Sequence, residues 1–162
     1  MDNIIQFKNK QGNVYPKIKR EIATAIVQNR YDQYQTSAWT NVNVKLNKIR
    51  STTSKLTLEQ NKIKIGKGIK KIIVSGQIAF YQDVHPPKYL LGCSLLKNGH
   101  LITFNTFAYY GSTVTQVSCV VPATIIDVVE GDLIELASNY GSGLTPFKIL
   151  ELGTYLTVEV VE

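Results

Sequence analysis

From Val42 to Val161, apolar and polar residues alternate in one short run after another, and this period of two constrains the fold more than any other feature. Val42, Val44 and Leu46 alternate with Asn43, Lys45 and Asn47. Leu56 and Leu58 alternate with Lys55, Thr57 and Glu59, and Ile63 and Ile65 with Lys62 and Lys64. Successive side chains of a strand point to opposite faces, so each run buries one face and wets the other. Further runs follow at 70–80, 88–97, 100–110, 114–121, 132–138, 146–150 and 155–161, rich in Val, Ile, Thr, Phe or Tyr, with turn residues between most of them. About nine or ten short strands with no helix between them predict an antiparallel all-β sandwich or barrel, not a parallel α/β sheet. No fixed-period repeat is present, so neither a propeller nor a solenoid is expected.

The opening residues read differently. NIIQFKNKQGNVYPKI suggests two short extended pieces around Gln11-Gly12-Asn13, and Pro16 bars a helix from crossing it. Between Lys17 and Gln35, Ile18, Ile22, Ala25, Ile26 and Asn29 recur at spacings of three and four. That spacing predicts one or two helical turns around Ile22 to Val27. The stripe is narrow and aliphatic, suited to packing against copies of itself.

At 162 residues the chain suits one domain with a short appendage. No run approaches the roughly 18 apolar residues of a bilayer-spanning helix, so membrane insertion is not expected. MDNIIQFKNKQG lacks the basic and apolar regions of an export signal, which predicts synthesis in a cytoplasm. Cys93 and Cys119 are too few for a disulfide framework and read as buried thiols. Residues 1–71 carry 15 Lys/Arg against four acids, whereas residues 72–162 carry three against eight. The lysines between 45 and 71 could track phosphates. They alternate with Ile63 and Ile65, however, as on the wet face of a strand, and no aromatic for base stacking lies between Trp39 and Phe80. Nucleic acid is therefore not an expected partner.

Catalytic chemistry needs a constellation, and none is visible. His85 and His100 form no short paired spacing with Cys93 and Cys119, so no metal is expected. Ile65-Gly66-Lys67-Gly68 is not a phosphate-binding loop, and Tyr140-Gly141-Ser142-Gly143 is not a nucleophile elbow. Asp127, Glu130, Asp132 and Glu135 lie close enough to suggest a carboxylate pair, but Gly131-Asp132 has the chemistry of a turn before a strand. The expectation is a protein that is not an enzyme and takes no cofactor. Binding candidates come instead from residue type in expected loops. Asp83, His85, Tyr109, Tyr110, Asn139 and Tyr140 offer the flat faces and polar groups that grip sugar rings or partner surfaces. Asn98-Gly99, between two apolar runs, predicts a type I′ hairpin turn, with His100 starting the next strand.

Four phrases now stand in order: VSGQIAF, LLKNG, VEGDLIEL and GTYLTVEV. Their order resembles the jelly-roll family of tumour necrosis factor and the complement globular heads, with its "NG" hairpin, "GD" turn and aromatic-containing last strand. The opening QFKNKQGNVYPKI resembles the start of tail or baseplate proteins of phages of Gram-positive bacteria. The resemblance implies a jelly-roll head over residues 40–162 and an attachment and trimerisation segment over residues 1–39. It also implies a homotrimer assembled into a virion, contacting other tail or baseplate proteins through residues 1–39. The head would bind a host cell-surface saccharide. The alternative is a purely structural baseplate or head-decoration protein that binds no receptor.

Overall fold

The computed structural model describes residues 20–28, 33–35, 40–81, 89–109, 116–141 and 147–161, and of 33–35, 89, 107–109, 140 and 141 the backbone alone. These residues form strands β1 (Ile22–Ile26), β2 (Gln33–Gln35), β3 (Val42–Asn43), β4 (Lys48–Ser51), β5 (Leu56–Glu59), β6 (Lys62–Ile65), β7 (Lys71–Tyr81), β8 (Tyr89–Lys97), β9 (His100–Tyr109), β10 (Gln116–Asp127), β11 (Leu133–Gly141), β12 (Phe147–Ile149) and β13 (Tyr155–Val160). Among the described residues there is no helix, as the alternation predicts.

The strands make two antiparallel sheets. In one, β4, β1, β13, β7 and β10 lie side by side, with β12 also on β7 and β2 outside β12. In the other the order is β5-β6-β11-β8-β9, with β3 also on β11. A late strand sits between early ones in each sheet, β13 between β1 and β7 and β11 between β6 and β8. Those crossovers make the sandwich a jelly roll.

The core follows from strand parity. Along β7 the even positions Ile72, Val74, Ile78 and Phe80 are fully buried, while Ile73, Ser75 and Gln77 turn to the other face. Across the gap they meet Ile63, Leu91, Leu95, Ile134 and Leu136 of the second sheet, all about 0–1% exposed. Each such side chain contributes roughly 1.5–3 kcal/mol on burial. Gly76 makes room for this packing, because a Cβ there would stand 2.7 Å from Leu136 Cδ1 and the leucine would have to shift. Phe80 and Phe147 close one part of the core edge-to-face, with ring centroids 6.2 Å apart.

Two expectations are corrected. Residues around Ile22 to Val27 are not helical: Ile22–Ile26 is strand β1, paired with β13 on one side and β4 on the other. IATAI fits a helix by its Ile22-Ala25-Ile26 spacing, but Ala23, Ala25 and Val27 also recur with period two and are 0–3% exposed. Burial between two strands decides for the sheet. Strand β1 thus joins the sheet although it precedes Thr40, while residues 1–19 of the expected attachment segment lie outside the described residues. Strand β10 also runs past its expected end at Val121 to Asp127. A register shift between Val121 and Thr124 absorbs Pro122. An edge strand tolerates that missing N–H donor at a bulge.

Candidate functional site

The two ends of the sandwich differ in chemistry. At one end, two turns are tied into a single unit. Asn98 and Gly99 take φ of 53° and 79°, as a type I′ turn requires, between the paired Lys97 and His100. Gly131, at φ 92°, turns the chain into β11. Asn98 Nδ2 donates to Asp132 Oδ1 at 2.7 Å, and Asn98 Oδ1 accepts from Leu133 N–H at 2.8 Å. Asp132 Oδ2 accepts from Val129 N–H at 3.0 Å, with Lys97 Nζ 3.6 Å away. Burial alone would push the Asp132 carboxyl up, but the Val129 N–H, the Asn98 amide and the Lys97 ammonium outweigh it and hold its pKa below the ordinary value. His100 is exposed at the start of β9.

Of the four carboxylates considered for catalysis, three have identified partners, and Glu130 is exposed in the turn before β11. Asp132, 7% exposed, holds the two turns together, and Glu135, 2% exposed, accepts from Gly99 N–H, Lys62 and Asn43. Asp127 is exposed, 3.9 Å from Lys71. Lys62 and Lys64, candidates for a phosphate-tracking surface, face Glu135 and Glu59 at 3.0 and 2.7 Å. Among the described residues no three His, Cys, Asp or Glu side chains gather to hold a metal ion. Cys93 and Cys119 are free thiols, 0% and 2% exposed, and Cys119 donates to Asn105 O at 3.4 Å.

Three of the sequence-derived binding candidates, Tyr109, Asn139 and Tyr140, belong to the opposite end. Tyr81 and Tyr89, which bracket Asp83 and His85, both lie there: Tyr81 pairs with Gln116 and Tyr89 with Tyr109. Asn139 and Tyr140 pair with Gly92 and Leu91 on the neighbouring strand. The topology thus brings Tyr109, Asn139 and Tyr140 to one end of the β9-β8-β11 sheet. Asp83, His85 and Tyr110 lie outside the described residues. Of this group only the Asn139 side chain is described. Its Nδ2 donates to Asn41 Oδ1 at 3.0 Å, the atom that also accepts from Ser94 Oγ at 3.2 Å. The carboxamide lies over Gly92, where any Cβ would collide with it. Asn41, Ser94 and Gly92 were not among the candidates. A glycine inside a strand pattern was the available signal, since it marks close approach by another group.

Solved structures share this architecture. Murine APRIL superposes with a TM-score of 0.59 at 14% identity, over 88% of this chain and 100% of that one. Eiger TNF from S. frugiperda superposes with a TM-score of 0.55 at 13% identity, over 89% and 94%. The fold is a tumour-necrosis-factor-type jelly roll. At such identities the likeness extends to the fold alone. No family model matches the chain, and no curated protein matches it in sequence.

Proposed function

We propose that this protein is a virion attachment protein of a phage, a homotrimer whose jelly-roll head binds a host cell-surface saccharide. The observation that carries the reading is the placement of Tyr109, Asn139 and Tyr140, with the strand ends that bracket Asp83 and His85, at one end of the sandwich. At the other end Asn98 and Asp132 are engaged in hydrogen bonds that tie two turns together. Binding surfaces built from loops on a rigid scaffold use this division of labour. The opening residues, which resemble phage tail and baseplate proteins, would carry the attachment to the virion.

Self-association has its own support. From Leu101 to Ile126 the chain contains no Lys, Arg, Asp or Glu. That stretch supplies all of β9 but His100 and all of β10 but Asp127, the outer strands of the two sheets on one side of the sandwich. Phe104 is 59% exposed and Ile125 62%, with Leu101 and Val120 also exposed. Bare strand edges with apolar side chains invite pairing with another chain, and an edge-to-face contact closes into a ring when the rotation allows. Three shallow sugar sites on one trimer then raise attachment strength without any new contact. Nothing in the reading requires catalysis, and incubation with wall polymer is expected to release no reducing sugar.

Binding of labelled protein to whole cells tests the proposal. Joint alanine replacement of Asp83, His85, Tyr109, Tyr110, Asn139 and Tyr140 is expected to weaken binding at least about tenfold. Unchanged binding would reject the site. Failure of the unmodified protein to bind cells or block adsorption would favour the purely structural alternative.

A further inference from the structure

Away from the proposed receptor end, three side chains meet at one carboxylate oxygen. Lys62 Nζ lies 3.0 Å from Glu135 Oε2, and Asn43 donates its Nδ2 to the same oxygen at 2.8 Å. The Gly99 N–H holds Oε1 at 2.6 Å, and Glu135 is 2% exposed, so the carboxylate is fixed in place. Register explains the meeting. Lys64 and Ile63 oppose Leu133 and Ile134, which brings Lys62 beside Glu135, while Asn43 opposes Ala137 on the same flank of β11. Positions two apart on a strand share a face and are separated by roughly 7 Å. Lys62 and Asn43 are thus close neighbours on two strands that pair with β11 and not with each other.

An amine, a carboxamide and a shared carboxylate are the nucleophile, the electrophile and the proton carrier of an amide exchange. We propose that Lys62 and Asn43 join spontaneously in an intramolecular isopeptide bond, with Glu135 as the catalytic residue. Glu135 takes a proton from the Lys62 ammonium and leaves a neutral amine. The Asn43 carboxamide turns over so that its Oδ1 accepts a hydrogen bond from the protonated Glu135. The Nζ lone pair attacks Asn43 Cγ and forms the new C–N bond. Collapse of the tetrahedral intermediate breaks the Cγ–Nδ2 bond, and nitrogen departs as ammonia, taking up the displaced proton as ammonium. One ammonium ion replaces the lysine ammonium, Glu135 ends as a carboxylate, and no oxidant or second substrate is consumed. The bond would staple β3 to the β5–β6 hairpin, a covalent tie suited to a surface that bears load.

Intact mass spectrometry of the folded protein tests this inference independently of receptor binding. The unmodified chain is expected to weigh less than its sequence by one ammonia, and digestion should yield peptide 31–45 joined to peptide 56–64, uncut at Lys62. Lys62→Arg keeps the ion pair but is expected to restore the full sequence mass, as are Asn43→Ala and Glu135→Gln. A folded Lys62→Arg protein guards against a trivial loss through unfolding. Ring closure at Asn98-Gly99 would cost the same mass, so fragmentation must place the change. A full-mass unmodified chain, or a loss mapped to Asn98, would overturn the proposal.

Discussion

Asp132 illustrates how a single buried carboxylate is stabilised by what surrounds it. Its two oxygens serve a main-chain N–H, the Asn98 amide and the Lys97 ammonium, so removing it leaves several donors without acceptors. Asp132→Ala is expected to cost about 2–3 kcal/mol in urea unfolding, against under about 1 kcal/mol for Glu59→Ala, whose pair with Lys64 is exposed on both sides. The pKa of Asp132 is lower folded than unfolded. Its contribution is therefore present above the ordinary aspartate value of 3.8 and is lost as pH falls through the lowered folded value. Asp132→Asn is expected to flatten that acid limb, and a parallel limb in the two proteins would contradict the assignment. The thiols behave in the opposite way. Burial pushes the Cys93 thiol far up, helped by the neighbouring Cys119, whose own thiol burial also raises. A thiol reagent is expected to leave both cysteines unmodified in the native protein and to reach both after unfolding.

Among the elements, β1 and the Asn98-Gly99 hairpin mark the extremes of what the sequence discloses. Asn-Gly between two apolar runs forces positive φ at both residues, and the structure places the turn where the residues demand it. The strands of the second half were equally plain, because their alternation is long and has no competing helical period. IATAI was ambiguous: in five residues, spacings of two, three and four all find apolar partners. Only the flanking strands β13 and β4, distant in sequence, resolve it. The same reasoning explains why the tie between Asn98 and Asp132 could not be foreseen. Each residue has ordinary turn chemistry, and their contact exists only because the topology sets β8 beside β11. The gathering of Tyr109, Asn139 and Tyr140 is also a product of topology, whereas their choice as candidates rested on residue type alone. Because β1 lies between two strands, a chain beginning at Thr40 is expected to lose cooperative unfolding in calorimetry. A sharp transition in that truncated chain would show that β1 is dispensable.

For the whole molecule, the two sides of the sandwich carry different instructions. On the β4–β5 side, Arg50, Lys55 and Thr57 keep the outer strands charged or polar and exposed. On the β9–β10 side the chain carries no charged residue from Leu101 to Ile126, with Phe104 and Ile125 standing out from it. Charged edges resist pairing and uncharged apolar edges favour it, and the proposed trimer would form through the second side. A Phe104→Asp, Ile125→Asp double variant is expected to remain folded, since neither side chain is buried, yet to be monomeric and to bind cells more weakly through lost multivalency. Light scattering of the purified protein tests the assembly on which the attachment reading depends most directly. A mass three times the 18.1 kDa of one chain is the predicted result, and an 18.1 kDa particle at micromolar concentration would contradict it.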